Sequence, residues 1–458
     1  MQTSQIRDFV SLRDHLTEQV VEGLYSAGNQ GAVIAEAPPG AGKSTLTISV
    51  ASRLVDDDPD LILAIVTQTN EQADDLVKGL CKARPHHEIA RMCGTTTGPS
   101  LEMLKLTPQG LLIGERVTDF GFVRIIVSTA RKWQFERARL QKNQEPSPCR
   151  IALIDEAYQM RSDLLLGISG LFQTLFCVGD PGQLDPFSTI DDSLWRGLPY
   201  SPSRAALGTL RAFNPEIEPI QLPLSWRLPP SAASIVANAF YPNSPFEAGT
   251  VLGQRSFELG SPTSLSAHDR LHFEAIERAA TKGWGYIELP ELFTSRADHE
   301  IAQVIAKQVS GLLRRGATVV DELNSSGAQL KAARVAVIAA HNDQVHAARY
   351  YLDQEGIDPN SLVVSTANKI QGREYDFVFV WHPLAGRRDA SAFHLESGRM
   401  CVMLSRHRHG CVVVGRAGAL DLLEDLPDEA PTYINEPEPA DGWEANYKVL
   451  KHLISCRS

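Results

Sequence analysis

The sequence lacks the features that mark secreted and membrane-spanning proteins. Its seven cysteines include no C-x-x-C pair, which favours a reduced, intracellular protein over a disulfide framework. No apolar run approaches the roughly 20 residues that a helix needs to cross a bilayer, and the first residues contain no basic segment followed by an apolar core. We therefore expect a cytoplasmic enzyme or binding protein that has no contact with a membrane.

An excess of positive charge is also absent, because the formal net charge is -11 at pH 7. This balance argues against a protein that coats nucleic acid through its whole surface, but it leaves room for a local basic groove. The apolar share of 43% and the charged share of 22% are those of an ordinary globular protein. At 458 residues the chain exceeds what one hydrophobic core usually serves, so we expect two domains.

One short stretch offers thiol and imidazole groups that metal ions bind. The residues are Cys81, His86, His87 and Cys93, and their spacing matches no standard zinc pattern. The alternative interpretation is the end of a helix followed by a polar loop, and we prefer it.

Short apolar runs alternate with helix-length amphipathic stretches, which predicts parallel sheets covered by helices on both faces. A first set of predicted strands lies at 31–37, 61–68, 123–129, 150–156 and 174–180. After a stretch rich in Pro, Ser and Gly, a second set follows at 334–341, 362–369, 376–382 and 410–416. The pattern therefore predicts an α/β fold with two parallel sheets.

The places where this alternation weakens suggest the domain boundaries. We predict a first domain at 1–221, a second domain at 222–426, and an acidic, Pro-rich linker with a terminal helix at 427–458. Within the second domain, residues 242–280 contain many turn formers and little periodicity, which predicts loops.

The segment APPGAGKST at 37–45 follows a predicted strand and opens a stretch with helical periodicity. Glycines at such a turn let backbone NH groups approach a phosphate at the N-terminus of the helix. The residues predicted to bind ATP here are Gly40, Gly42, Lys43, Ser44 and Thr45. Lys43 would reach the β- and γ-phosphates, and the Ser44 hydroxyl would hold Mg²⁺. The first position of the pattern G-x-x-x-x-G-K-[ST] is Ala37 instead of glycine.

The segment IALIDEAYQM at 151–160 places two adjacent acids at the end of a predicted buried strand. In an ATPase with such a phosphate loop, Asp155 would hold Mg²⁺, and Glu156 would orient and deprotonate the attacking water. Taken alone, an acidic pair after a strand is often a solvated helix start, so this interpretation depends on the phosphate loop.

Three further residues complete the predicted catalytic set. Gln183, in GDPGQLDPF, carries an amide that can report on the γ-phosphate and its water. Arg227 in LSWRLPPS and Arg406 in MLSRHRHG could reach the γ-phosphate from across a domain interface and stabilise the charge that develops during transfer. Taken alone, these segments would be interpreted as a polar turn and two surface arginines.

In this order, the segments resemble the motifs of superfamily 1 helicases, and specifically those of the up-frameshift-type branch. TQTNEQADDL is similar to motif Ia, IIVSTARKW to motif Ic, LIDEAYQ to motif II, GDPGQLDPF to motif III, LSWRLPPSAASIVANAFY to motif IV, VVSTANKIQGREYDFVFV to motif V and GRMCVMLSRHRHGCVVVG to motif VI. The resemblance covers most of residues 15–418, and it implies two RecA-like domains with parallel sheets and an ATP site at their interface. The departures are Ala37, Trp226 in place of a tyrosine, and His407 within motif VI.

The resemblance also implies roles for residues that the pattern alone leaves unassigned. Gln19, in a stretch similar to the adenine-recognising Q motif, would contact the base, although a solvated helix face is the alternative. Gly372 and Glu374 would lie beside the nucleotide, with Glu374 near the ribose, and Gln159 would lie near the nucleotide or the domain interface. The residues that would face a nucleic-acid backbone are Thr69, Asn70, Thr129, His341, Asn342 and Thr366. A strand-end or helix-cap role is an equal alternative for each of these six.

The function implied by the resemblance is that of an ATP-dependent helicase or single-strand translocase on DNA or RNA, with ATP and Mg²⁺ as cofactors. ATP would draw the two domains together and hydrolysis would release them, so that the protein steps along one strand, in the 5′ to 3′ direction usual for this branch. One alternative is a nucleic-acid-stimulated ATPase switch that remodels or recruits partners without unwinding. Another is an ATPase whose target is a protein. The sequence indicates no preference between DNA and RNA, and it identifies no protein partner.

Overall fold

The computed structural model describes residues 9–29, 31–94, 98–184, 186, 195, 200–261, 267–294, 297–322, 324–370, 372–424 and 441–456. Two large sheets, one from each half of the chain, consist entirely of parallel strands. The predicted α/β fold with parallel sheets is therefore confirmed. Most of the predicted linker, 427–440, lies outside the described residues.

The first half of the chain forms an eight-stranded sheet. Its strands are β1 (Gly31–Glu36), β2 (Leu63–Thr67), β3 (Ile89–Met92), β4 (Leu112–Gly114), β5 (Ile125–Thr129), β6 (Ile151–Ile154), β7 (Thr174–Gly179) and β8 (Ile220–Gln221), in the order β4-β3-β5-β2-β6-β7-β1-β8. Its helices are α1 (Phe9–Ala27), α2 (Lys43–Asp57), α3 (Asn70–Ala83), α4 (Leu101–Leu106), α5 (Ala130–Asn143), α6 (Ser162–Ser169) and α7 (Ala206–Phe213). All five strands predicted for this half are present, and the short strands β3, β4 and β8 were not predicted.

The second half forms a five-stranded sheet with smaller sheets beside it. Its strands are β9 (Leu224–Ser225), β10 (Glu247–Ala248), β11 (Ser256–Leu259), β12 (Trp284–Leu289), β13 (Ala317–Asp321), β14 (Asn324–Gln329), β15 (Val335–Ala339), β16 (Val363–Thr366), β17 (Tyr375–Trp381) and β18 (His407–Arg416). Its helices are α8 (Pro230–Phe240), α9 (Ala267–Lys282), α10 (His299–Arg315), α11 (Asn342–Gln354), α12 (Ala367–Ile370), α13 (Ala392–Leu395), α14 (Ser397–Leu404), α15 (Ala419–Glu424) and α16 (Gly442–Ser455). The parallel strands lie in the order β12-β18-β17-β15-β16.

The prediction that 242–280 forms loops is wrong for much of that range. The strands β10 and β11 and most of α9 lie within it, and β11 joins β13 and β14 in an antiparallel sheet. The turn-forming residues of this range separate short elements instead of excluding them. The partner of β11 lies far away in the chain, so its pairing leaves no local periodic pattern.

Helices cover both faces of each large sheet because successive strand residues point to opposite sides. In β17, Phe377 and Phe379 belong to one hydrophobic cluster, whereas Val378 and Val380 belong to another. Full burial of each such side chain contributes roughly 1.5–3 kcal/mol relative to exposure. The strands therefore form rigid layers whose ends can hold polar side chains in fixed positions.

The helix α16 packs back onto the second half of the chain. Its buried residues, which include Val449, Leu450 and Leu453, join the hydrophobic cluster that also contains α8 and α14 residues. In the part of the chain that the structure describes, no helix combines the length and the apolar character needed to cross a membrane.

Candidate active site

The predicted phosphate loop connects the end of β1 to the start of α2. Gly40 and Gly42 have positive φ angles of 73° and 91°, a conformation that glycine adopts far more readily than other residues. α2 begins at Lys43, and within the described residues no side chain caps this end of the helix. The amide groups of its first turn, which includes the exposed Ser44 and Thr45, are therefore arranged to receive an anion.

The loop packs against the segment that leads into α8. The Trp226 amide donates to the Gly40 carbonyl over 2.9 Å, and the Ser225 hydroxyl donates to the Pro39 carbonyl over 2.6 Å. A Cβ atom on Gly40 would overlap the Cβ of Arg227. Glycine is thus required at position 40 by its φ angle and by this close approach, which brings Arg227 beside the loop.

Asp155, predicted to hold Mg²⁺, and Glu156, predicted to activate water, face different partners on α2. The Ser44 hydroxyl donates to Asp155 Oδ2 over 3.2 Å. The Lys43 ammonium lies 3.7 Å from Glu156 Oε1 and 3.4 Å from Asp180 Oδ2. The structure therefore brings the predicted loop, which follows β1, and the predicted acids, which follow β6, together at the carboxyl edge of the sheet, with β7 between the two strands.

Burial and charge act in opposite directions on these groups. Burial lowers the pKa of the Lys43 ammonium, but the carboxylates of Glu156 and Asp180 outweigh it and raise that pKa above its usual value. Burial, aided by the charge of Glu156, raises the pKa of the Asp155 carboxyl. The lysine is thus held in its charged form at the centre of the site.

Glu156 has a left-handed backbone with a φ of 52°, which among the described non-glycine residues only Gln144 shares. Such a conformation costs of order 1–3 kcal/mol and persists only where its surroundings enforce it. The Gln159 amide donates to Glu156 Oε2 over 3.0 Å, so Gln159 contacts the predicted catalytic acid directly.

Asp180, which the sequence analysis left without a role, is a shared acceptor at the end of β7. It accepts from the Lys43 ammonium, from the Gln183 amide over 2.6 Å and from the Tyr241 hydroxyl over 2.6 Å. Gln183 and Lys43 therefore share Asp180 Oδ2 as an acceptor, and the role of Gln183 as a γ-phosphate sensor stays a prediction. The position of Asp180 within the same GDPGQ segment was the signal that could have identified it.

Arg227 and Glu374 face each other on the side of the site that the second half of the chain forms. Arg227 Nε donates to Glu374 Oε2 over 3.2 Å, and Arg227 Nη2 donates to the carbonyl of Gly372, whose φ is 82°, over 3.5 Å. Arg408, a residue that the sequence analysis did not select, donates to Glu374 Oε1 over 2.9 Å. Burial raises the pKa of the Glu374 carboxyl, but Arg227 and Arg408 outweigh it and lower the pKa to about 2.

Arg406 is fully buried beside Arg227. It donates to the Val402 carbonyl and to the Ser405 hydroxyl, each over 3.0 Å. Burial, together with the charge of Arg227, lowers the pKa of Arg406 to about 10. The neighbouring His407 is buried against Trp284 at a ring-centroid distance of 4.9 Å, so this departure from the family pattern fills the core.

An ion-pair network extends from this side of the site to the hairpin of β13 and β14. Arg408 donates to Glu322 over 2.7 Å, and Arg255 donates to the same carboxylate over 2.8 Å. Arg255 also donates to the carbonyls of Trp226 and Arg227 over 2.5 and 2.6 Å. The backbone that positions Arg227 is thus fixed by residues that are distant in sequence.

A small aromatic cavity lies beside the phosphate loop. Its lining includes Phe9, Leu16 and Trp226, and the rings of Phe9 and Trp226 meet edge to face at 5.2 Å. Gln19 lies about one turn beyond Leu16 on α1 and is exposed. The structure therefore places Trp226 beside this cavity, and the assignment of Gln19 to the adenine base stays a prediction.

The six residues predicted to face a nucleic acid all lie at or just beyond the carboxyl ends of parallel strands. Thr69 and Asn70 follow β2, Thr129 ends β5, His341 and Asn342 follow β15, and Thr366 ends β16. Because β2 pairs with β5 and β15 pairs with β16, each half of the chain presents its set along one sheet edge. Asn70 and Asn342 are exposed there.

Several of these residues also cap helices, which was the alternative interpretation. The Thr69 hydroxyl accepts from the backbone NH of Gln72 over 3.2 Å, and the Thr129 hydroxyl accepts from the backbone NH of Lys132 over 3.3 Å. The His341 ring stacks on Phe393 at a centroid distance of 4.7 Å. Capping and contact with a nucleic acid are compatible, because a capped helix start holds its polar side chains at the sheet edge.

The stretch from Cys81 to Cys93, which offers thiol and imidazole groups, forms a helix end and a polar turn. This is the interpretation that we preferred to a metal site. α3 ends at Ala83, and a short turn of 3-10 helix covers His86–Glu88. Among the described residues, the group that could hold a metal ion consists instead of the buried Asp321, Asp376 and His409. Arg408 lies 3.3 Å from Asp321 and Arg334 lies 2.7 Å from Asp376. Both carboxylates are thus neutralised by arginines, which disfavours a cation at this position.

Comparison with known proteins identifies one family model and several solved structures. Residues 210–418 match the model described as an AAA domain. The arterivirus nonstructural protein 10 helicase has 12% identity and a TM-score of 0.43, with 88% of this chain and 64% of that chain covered. The same helicase in complex with DNA has 13% identity and a TM-score of 0.41, with coverage of 89% and 65%. The DUF1998 helicase MrfA bound to DNA and AMPPNP has 9% identity and a TM-score of 0.41, with coverage of 92% and 52%. The chain thus spans between about half and two thirds of the length of these structures.

Proposed function

We propose that this chain, whose residues 210–418 match an AAA domain that occurs in up-frameshift-type superfamily 1 helicases, is an ATP-dependent helicase or single-strand translocase. The observation that carries the proposal is the position of the Lys43 ammonium between Glu156 and Asp180, near Arg227 from the second half of the chain. A buried ammonium, adjacent carboxylates and arginines around one glycine loop are the groups that phosphoryl transfer requires.

The residues of the site fit a bound Mg²⁺, because the Ser44 hydroxyl and the Asp155 carboxylate offer hard oxygen ligands that lie close together. When bound, Mg²⁺ would neutralise charge on the phosphates. Glu156 would accept the proton of the attacking water, and Gln183 would position that water. Arg227 and Arg406 would stabilise the charge that develops on the γ-phosphate.

The nucleotide would lie between a first domain at 1–221 and a second domain at 222–426. Gly40, Gly42, Ser44 and Thr45 would bind the phosphates from the first domain, and Gly372 and Glu374 would lie beside the nucleotide on the second, Glu374 near the ribose. Closure of the two domains on ATP would change the distance between the two sets of strand-end residues that face the nucleic acid. Alternating grip on one strand of DNA or RNA then produces steps along it.

The decisive measurement is ATP hydrolysis with and without matched single strands of DNA and RNA. We expect stimulation by at least one of them, and loss of hydrolysis in Lys43→Ala. Lys448→Ala is the matched control, because Lys448 forms an exposed ion pair on α16 away from the loop. Hydrolysis that persists in Lys43→Ala contradicts the proposal.

A duplex-unwinding assay with ATP then separates the alternatives. Strand separation supports a helicase. Stimulated hydrolysis without strand separation or movement along a strand supports an ATPase switch instead, and hydrolysis that no nucleic acid stimulates indicates a protein target.

A further inference from the structure

Asp180 accepts hydrogen bonds from side chains of both halves of the chain. Among the described contacts of the candidate active site, no other carboxylate does so. Lys43 and Gln183 reach Asp180 Oδ2 from the first half, over 3.4 and 2.6 Å. The Tyr241 hydroxyl reaches Oδ1 from the end of α8 in the second half, over 2.6 Å. Lys43 of the phosphate loop and Tyr241 of the second half therefore bind the same carboxylate.

The segment around Asp180 is packed tightly against the second half. A Cβ atom on Gly182 would lie 2.5 Å from Cζ of the Tyr241 ring. A Cβ atom on Gly398, in α14, would lie 2.6 Å from the carbonyl carbon of Gln183. Tyr241 is itself fixed, because its ring meets that of Phe246 edge to face at 5.0 Å and is almost fully buried. The segment that contains Asp180, Gly182 and Gln183 therefore cannot move towards Tyr241 or α14 unless these move with it.

We propose that the Tyr241 hydroxyl is a positioning group that couples phosphate binding at Lys43 to contact between the two halves of the chain, through Asp180. This inference rests on the proposed function. A phosphate that attracts the Lys43 ammonium weakens the ion pair between Lys43 and Asp180. The carboxylate is then less neutralised, so its charge-assisted hydrogen bond with Tyr241 becomes stronger. Phosphate binding thereby draws the second half towards the loop.

The test is Tyr241→Phe, which keeps the ring and its packing and removes only the hydroxyl. A hydrogen bond to a charged group contributes roughly tenfold or more to an equilibrium. We therefore expect the rate of ATP hydrolysis at saturating single-stranded DNA or RNA to fall about tenfold, while KM for ATP changes less than about threefold. The factor by which AMPPNP changes the affinity for the same strand falls towards one, because coupling between two ligands is reciprocal.

The matched control is Tyr286→Phe, because Tyr286 is buried in the same hydrophobic cluster and its hydroxyl donates to Glu288 over 3.4 Å. Thermal unfolding midpoints of the two variants show that both fold, and Tyr286→Phe retains stimulation. If nucleic acid stimulates ATP hydrolysis in Tyr241→Phe as much as in the parent, the coupling role of Tyr241 is overturned. The proposed function is not affected by that outcome. Equal loss of basal and stimulated rates also overturns the coupling role, because a general loss is not a loss of coupling. A parent that nucleic acid does not stimulate overturns the proposed function, and the coupling role with it.

Discussion

The two halves of the chain supply the candidate site from opposite ends of their sheets. In the first half, Lys43, Asp155 and Asp180 all follow the carboxyl ends of parallel strands. In the second half, Glu374 and Arg406 precede β17 and β18 and therefore lie at the amino ends. The first set belongs to short contiguous segments, whereas Glu374 is held by ion pairs with Arg227 and Arg408, which are distant in sequence. Changes in the first half should therefore affect chemistry most, and changes in the second half should affect stability and chemistry together.

The largest effect is expected for Glu156→Gln, which tests the first half of this comparison. The amide keeps the size of the side chain but cannot accept a proton, so kcat should fall roughly 100-fold or more. Because Lys43 and Glu156 form a buried pair but Lys43 keeps Asp180 as a partner, the free energy of unfolding should fall by less than the roughly 3 kcal/mol expected when a buried charge loses its partner. Steady-state kinetics and urea unfolding measure the two quantities, and Glu444→Gln on α16 is the matched control. Retained activity in Glu156→Gln would remove this residue from the catalytic set.

Gly40→Ala tests the contact at which the two halves meet. Gly356 is the matched control, because its φ of 74° is close to the 73° of Gly40, while within the described residues nothing lies within 4 Å of a Cβ added there. The left-handed backbone alone costs roughly 1–2 kcal/mol for a residue with a Cβ, so Gly356→Ala should show that loss and keep its activity. Gly40→Ala should lose more stability and at least about tenfold in ATP hydrolysis, because Arg227 must move. If the two variants lose the same free energy of unfolding and hydrolyse ATP at the same rate, the contact between Gly40 and Arg227 affects neither stability nor activity.

The difference between the halves also explains how much could be predicted from the sequence. Lys43, Ser44 and Asp155 were predicted because a strand, a glycine turn and a helix start identify them locally. Tyr241 lies 61 residues from Asp180, and Arg408 lies 86 residues from Glu322. Such pairs leave no periodic or local pattern, so they became visible only in the folded chain.

The fold shows the same contrast between local and distant information. Most of the long apolar strands of both sheets were predicted, because each carries its own pattern of burial, but β12 (Trp284–Leu289) was missed. The antiparallel sheet of β11, β13 and β14 was missed, because its strands are short, its turn formers are frequent and the partner of β11 is distant in sequence.

Arg408→Ala tests the second half of the comparison. The guanidinium is almost fully buried, and its removal leaves the buried Asp321 without that ion pair. Loss of one partner of a buried pair costs about 3 kcal/mol, so the unfolding midpoint in urea should fall clearly. Arg53→Ala, which removes an exposed ion pair with Asp57, should change the free energy of unfolding by about 0–1 kcal/mol. A similar small effect in both variants would show that the network does not stabilise this half.

The smallest effect is expected from acid titration of Glu374. Its pKa is lowered to about 2 in the folded protein, below the ordinary value of 4.5, because Arg227 and Arg408 outweigh the effect of burial. A lowered pKa contributes stability that is fully present above pH 4.5 and is lost as the pH falls towards 2. In Glu374→Gln, the free energy of unfolding should therefore depend less on pH between these two values than in the parent. Urea unfolding at several acidic pH values measures this slope, with Glu444→Gln as the exposed control. Parallel curves for the parent and Glu374→Gln would mean that the two arginines do not hold this carboxylate in its charged form.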